Sequence, residues 1–204
     1  MNFGFWHRIG AQEDPEPVYA RLVASYSEPH RAYHNLAHIK HCLEEFDSAR
    51  HLAADPNSVE MAIWFHDVVY DPCVKDNEQR SADVAVEVAR ESQLPTAFAQ
   101  RVAVLILATR HVSPPGDPDS ALLVDVDLSI LGQPVDRFDE YERQIRQEYD
   151  WVEAAAFAAG RGAILKSFLE RRAIFSTPFF RDKYERRARE NLKRSIERLQ
   201  GAPA

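Results

Sequence analysis

Two cysteines in 204 residues, Cys42 and Cys73, are too few for a disulfide framework or a cysteine-built zinc knuckle. Reduced, partly buried thiols are expected instead, and with them a cytoplasmic location. Glycine is scarce at 7 residues, and no glycine-rich phosphate loop or nucleotide fingerprint is present. No apolar run is long enough to cross a bilayer; the longest candidate, 151–169, is broken by Glu153, Arg161 and Lys166. The opening segment MNFGFWHRIG lacks a basic stretch followed by an apolar one, so no signal peptide is expected. Basic residues are in deficit, 25 Lys and Arg against 32 Asp and Glu, for a net charge of -7. That balance argues against general nucleic-acid or anionic-membrane binding. It leaves a small phosphate ester open, because a bound metal ion supplies local positive charge.

Strand-like alternation is also nearly absent, and helical periodicity takes its place. Val18, Leu22 and Tyr26 mark a first helix. Asn35 is a candidate N-cap for a second, running to about Ala54 with Leu36, Ile39, Leu43 and Phe46 as its apolar stripe. Ser58 is placed to cap a third, ending near Tyr70 before Asp71-Pro72. Further helices are predicted over 77–91, 98–109, 121–131 (Pro118 a possible start), 136–149, 152–172 and 181–199. The expectation is one all-α domain over 1–204 with eight or nine helices: a motif-bearing core at about 31–131 and C-terminal helices over 136–200. The Arg-Glu-rich last helix reads as a surface or a homodimer contact.

Histidine placement is the first anomaly. Six of the 8 histidines lie between His30 and His66, and His34 and His38 are four apart, on one face of a helix or its first turn. The second anomaly is His66-Asp67, an adjacent pair inside the apolar run Trp64 to Tyr70. A carboxylate buried there costs several kcal/mol unless it is paired or binds a cation. The third is Asp125 and Asp127, which interrupt an apolar helix about 200° apart around its axis. They cannot share a face, so one is expected to point at a site and the other at an arginine or a helix end. Each feature alone has an ordinary structural explanation: solvated histidines, a capping His-Asp pair, a paired aspartate. Together, neutral imidazoles and ionised carboxylates are the donors that suit Fe, Mn, Zn, Co or Ni.

The order of these residues, H…HD…D, resembles that of the HD superfamily of metal-dependent phosphohydrolases, over roughly Arg31 to Leu131. The segments Arg31-Ala-Tyr-His-Asn-Leu-Ala-His-Ile, Trp64-Phe-His-Asp-Val-Val-Tyr-Asp, Asn77-Glu-Gln-Arg-Ser-Ala and Asp125-Val-Asp-Leu-Ser-Ile-Leu-Gly look like a bacterial subgroup of predicted HD phosphohydrolases. For that subgroup the likeness extends over most of the chain. The resemblance implies an HD-domain helical bundle with a divalent ion (Mn, Fe, Co, Ni, Zn or Mg) held by His38, His66, Asp67 and Asp127. The Tyr33-His-Asn-x-x-His segment is also similar to class I cyclic-nucleotide phosphodiesterases, which makes His34 the candidate general acid. Their last-ligand segment matches Val126-Asp127-Leu128-Ser129 and favours Asp127 over Asp125. The chain departs from those enzymes at Tyr70, where they carry a further histidine.

The chemistry so implied is metal-assisted hydrolysis of a small phosphorylated substrate, a nucleotide or another metabolite, with Asp67 orienting the attacking water or bridging to a second ion. His111 is a candidate ligand for a second ion, or a histidine favoured by a helix end. Arg31, Arg80 and Arg110 are candidate phosphate contacts, and Glu78 a candidate partner to a ligand histidine. Two rivals stand beside this reading. A di-iron oxygenase of HD type needs more histidines than the lone His111 that follows His66. A non-catalytic metal- or nucleotide-binding module would not be expected to keep all four ligands and His34.

Overall fold

The computed structural model describes residues 4–12 and 14–201, all of whose regular structure is helical. Ten α-helices and two 3-10 segments appear among them, so the all-α prediction holds. The extra helix is the short α1 (Gly4–Arg8), whose Phe5 and Trp6 are buried. The chain forms two compact units, Met1–Val124 and Asp125–Ala204.

The first unit holds α1, α2 (Pro15–Tyr26), α3 (Leu36–Ala49), α4 (Pro56–Phe65), α5 (Asn77–Glu91), α6 (Thr96–Ala108) and the start of α7 (Pro118–Asp127). Helix α4 is its centre. Every residue from Ser58 to Phe65 is buried, the charged Glu60 among them paired with Arg8 and Arg50, and α3, α5 and α6 pack around the helix.

The ends of these helices decide where the chemistry falls. Asn35 caps α3 as expected, accepting from Ala37 N at 2.8 Å. Helix α3 stops at Ala49, earlier than predicted, and continues as a 3-10 turn over Arg50–Leu52. The cap of α4 is Asp55 rather than Ser58: Asp55 accepts from Ser58 N and Oγ, and Pro56 occupies the first turn. Helix α4 ends at Phe65, five residues before the predicted Tyr70. The Asp67 and Val68 carbonyls accept from Arg31 instead, at 2.6 and 3.0 Å, and the Val69 backbone pairs with Ser81 Oγ. His66-Asp67 therefore stands at a helix end, not within a helix.

In the second unit a 3-10 segment (Leu128–Gly132) follows α7, then α8 (Val135–Glu148), α9 (Ala154–Leu169) and α10 (Pro178–Gly201). Helix α10 packs against α9 and the 3-10 segment, burying Phe180, Tyr184, Ala188, Leu192 and Ile196. Gly132 lies directly under the Tyr184 side chain, where any Cβ would overlap it. Asn191 fastens the two elements by donating to the Leu131 and Gln133 carbonyls, each at 2.9 Å.

Candidate metal centre

The helix ends just described bring four donor side chains of the first unit together. His38 lies in the first turn of α3 and is 1% exposed; Cys42 sits one turn further on, also 1% exposed. His66 terminates α4 at 1% exposure, with its backbone N–H on the Ala62 carbonyl. Its Nδ1 is 3.0 Å from the Ile63 carbonyl. A carbonyl only accepts, so Nδ1 carries the hydrogen, and in the neutral ring Nε2 presents a lone pair.

That lone pair faces the cluster. His66 Nε2 is 3.1 Å from His38 Nε2 and 3.2 Å from Asp67 Oδ2, and His38 Nε2 is 3.5 Å from the same oxygen. Two imidazole nitrogens and a carboxylate oxygen this close need positive charge among them, as protons or as a metal ion. A triangle of those sides has a circumradius of about 1.9 Å, so the three atoms are spaced as bonds of about 2.0–2.2 Å to one ion would require. Cys42 Sγ is 3.7 Å from His38 Nδ1 and 3.8 Å from Nε2. The donor atoms of His38, Cys42 and His66 lie within 4.8 Å of one another, a buried group able to hold a metal ion. Burial opposes the charge of Asp67, but neighbouring His66, hydrogen bonds from His38 and His66, and His34 together hold its carboxyl well below the usual range.

The ligand triangle is held from behind. Arg31 is buried and reaches four acceptors: Glu28 Oε2 at 2.9 Å, and the carbonyls of His34, Asp67 and Val68 at 3.1, 2.6 and 3.0 Å. Its guanidinium also lies over the rings of Tyr26 and Tyr70. Arg31 is thus a clamp on the backbone of the His-Asp segment. Tyr26 adds a hydrogen bond from its hydroxyl to the Trp64 carbonyl, 2.9 Å away.

His34 is half-buried in the turn before α3, with its ring 6.0 Å from that of His38. It stacks on Tyr70 at 4.1 Å, and Tyr33 packs edge-on to it at 5.0 Å. On the other side Tyr70 meets His30, whose Nε2 donates to the Tyr70 carbonyl at 2.8 Å.

The remaining predicted residues fall as follows. Asp125 is fully buried and accepts from Ser176 N, Thr177 N and Thr177 Oγ1 at 2.6–2.7 Å, just ahead of α10. It is an aspartate turned to a helix end. Asp127 is the last residue of α7, half-buried. His111 follows α6 in the left-handed conformation, φ 56°, and lies outside the donor group. Arg110 is exposed and points to Gln79 Oε1, 3.5 Å away. Glu78 lies in the first turn of α5, where a carboxylate suits the helix dipole.

Cys42 was not among the expected donors. Its spacing of four from His38, on the buried stripe of α3, is the signal that would have found it. Comparison with models of protein families, with curated proteins and with solved structures finds no match. Fold and site define an all-helical protein with a buried group of imidazole, thiol and carboxylate donors.

Proposed function

We propose that this chain is a metal-dependent hydrolase of small phosphate esters, of the HD type. One observation carries the reading: the triangle of the buried His38 Nε2, the buried His66 Nε2 and the half-buried Asp67 Oδ2, with His34 beside it. The H…HD…D order of the sequence is the basis for counting Asp127 as the fourth ligand. A divalent ion held there supplies Lewis acidity, polarising a P–O bond and lowering the pKa of water.

The chain's own groups do the rest. Asp67, ionised and fixed through its backbone by Arg31, accepts a hydrogen bond from the attacking water and sets its direction. The stack on Tyr70 holds the His34 ring, whose proton passes to the leaving oxygen as the P–O bond breaks. The first unit carries 18 acidic and 10 basic side chains, so long polyanions are disfavoured and a single phosphoryl group drawn by the ion is favoured.

The test is metal content and ester hydrolysis in the same preparations. Chain purified without chelator should hold near-stoichiometric metal and release phosphate or p-nitrophenol with Mn, Co, Ni or Mg added. Asp67→Ala should lose both, its metal affinity falling at least about 100-fold. Two imidazoles and one carboxylate are also the donors of iron oxygenases, which gives a second reading. Iron in the wild type without ester hydrolysis would favour it. Wild type that takes up no metal would defeat both and leave a helical binding module.

A further inference from the structure

Asn77 and Ser81 belong to a segment that carries part of the sequence resemblance, and the hydrolase reading gives them no task. Asn77 opens α5, and Ser81 lies one turn further along the same face. Each side chain makes two hydrogen bonds to one backbone residue of the segment that leaves α4. Ser81 Oγ accepts from Val69 N at 3.1 Å and donates to the Val69 carbonyl at 3.2 Å. Asn77 Oδ1 accepts from Asp71 N at 3.1 Å, and its Nδ2 donates to the Asp71 carbonyl at 2.8 Å. Residues 69 and 71 are thus gripped by both backbone groups, as a neighbouring strand would grip them. Helix α5 is seated by its buried Ala82, Ala85, Val88 and Ala89, so what the polar pair adds is the placement of this segment.

The residue between the two grips is Tyr70. Its carbonyl accepts from His30 Nε2 at 2.8 Å. Its ring is stacked 4.1 Å from that of His34 and 6.2 Å from that of His30, with the Arg31 guanidinium 5.5 Å from its centre. We propose that Asn77 and Ser81 are positioning residues for proton transfer: they fix Tyr70, and Tyr70 fixes the His34 ring. This rests on the hydrolase reading and extends it to residues that touch no reacting atom. In the step they serve, a water oxygen bonds to phosphorus as its proton leaves to solvent. The P–O bond to the leaving group breaks as the His34 proton passes to the departing oxygen. An alkoxide departs only with that proton, whereas p-nitrophenolate departs without it. A displaced imidazole therefore slows the two esters unequally.

Two readouts on the full-length chain test this. The first is hydrolysis of glycerol 2-phosphate and of p-nitrophenyl phosphate by Ser81→Ala and Asn77→Asp. Asn77→Asp keeps the side-chain size and suits a helix start, so it keeps the test open should Ser81→Ala not fold. It replaces the amide donor on the Asp71 carbonyl with an acceptor. In both variants kcat for glycerol 2-phosphate should fall about 10- to 100-fold and that for p-nitrophenyl phosphate less than about threefold. KM and bound metal should match the wild type, and His34→Gln should show the same unequal loss. The second readout is proton NMR of the chelator-stripped chain. The His34 ring protons, identified by their absence in His34→Gln, should lie upfield under the Tyr70 ring current. They should move downfield in Ser81→Ala and Asn77→Asp, toward their position in Tyr70→Ala. Esters slowed alike or not at all, unmoved His34 protons, or wild type active on p-nitrophenyl phosphate alone would overturn the positioning role and leave hydrolysis standing. Wild type that hydrolyses neither ester would overturn the hydrolase reading, and the positioning role with it.

Discussion

The two units differ in the polar groups they hold. All eight histidines and both cysteines belong to the first unit, and the second has neither. The first unit carries a net charge of -8, the second of +1, from 14 acidic and 15 basic side chains. The second unit meets its loop carbonyls with arginine: Arg146 reaches Tyr149 and Val152, and Arg189 reaches Leu169, Arg171 and Arg172. It meets loose N–H groups with carboxylates: Asp125 takes those of Ser176 and Thr177, and Glu185 those of Ile174 and Phe175. These are devices for holding a fold together. The first unit has such devices too, Arg31 among them, but it also sets two buried imidazoles and a carboxylate facing one another, an arrangement that costs stability unless a cation joins them. Local cost concentrated in one unit marks where selection has favoured something besides stability.

Two arginine clamps offer the largest test of that contrast. Arg31 and Arg189 each bind one carboxylate and three carbonyls, yet only Arg31 holds a proposed ligand. Arg31→Ala should destabilise by about 3–5 kcal/mol, because it strands buried carbonyls. Arg31→Lys, which keeps the charge but not the planar fork, should fold and bind zinc about 10- to 100-fold more weakly. Arg189→Ala should cost about 1–3 kcal/mol in urea unfolding and leave zinc affinity unchanged. An equal loss of zinc affinity from Arg189→Ala would erase the distinction between the units.

The sequence revealed elements better than it revealed ends. The fifteen residues of α5 were legible to the residue, because its apolar stripe and flanking breaks agree. The end of α4 was not, since Val68-Val69-Tyr70 continues the apolar run and only the distant Arg31 and Ser81 take over its backbone. Asp125 and Asp127 could be separated by angle, but the partners of Asp125 could not be read, because Ser176 and Thr177 lie some 50 residues on. His66 and Asp67 were legible as candidate donors because polar groups in an apolar run are costly to bury, and His38 through its spacing from His34. Cys42 was not, because a buried cysteine in a helix stripe looks like any small apolar residue.

A smaller effect contrasts the ways the units hold a carboxylate low. In the first, Asp67 is kept ionised mainly by imidazoles. In the second, Asp139 is kept below its usual range by Arg198, at 2.8 Å, and Arg194, at 2.6 Å. A depressed folded-state pKa contributes stability above the ordinary carboxylate range that is lost as pH falls through the folded value. Arg194 and Arg198 are 32% and 49% exposed, so screening limits the contribution to about 0.5–1 kcal/mol. Asp139→Asn should therefore be less stable than wild type at about pH 7, and the gap should close at about pH 2. A gap unchanged with pH would mean that Asp139 acts through packing and not through its charge.

The smallest effect concerns backbone strain, which is also unequal. Among the described residues, the only non-glycines in the left-handed region are Gln93, φ 57°, and His111, φ 56°, both in the first unit. Gln93 follows α5, where Leu94 N closes back on the Ala89 carbonyl at 2.9 Å, the position that glycine favours. Its side chain is exposed, so Gln93→Gly gives up little packing. Relief of the left-handed cost, about 1–2 kcal/mol, outweighs the added freedom of the unfolded chain, for a net gain of about 0.5–1 kcal/mol. His111 has the same backbone but a partly buried side chain, so His111→Gly should gain less than Gln93→Gly or lose stability. The difference between the two measured changes isolates what the His111 imidazole contributes. Equal gains would show that His111 contributes nothing to the fold beyond its backbone.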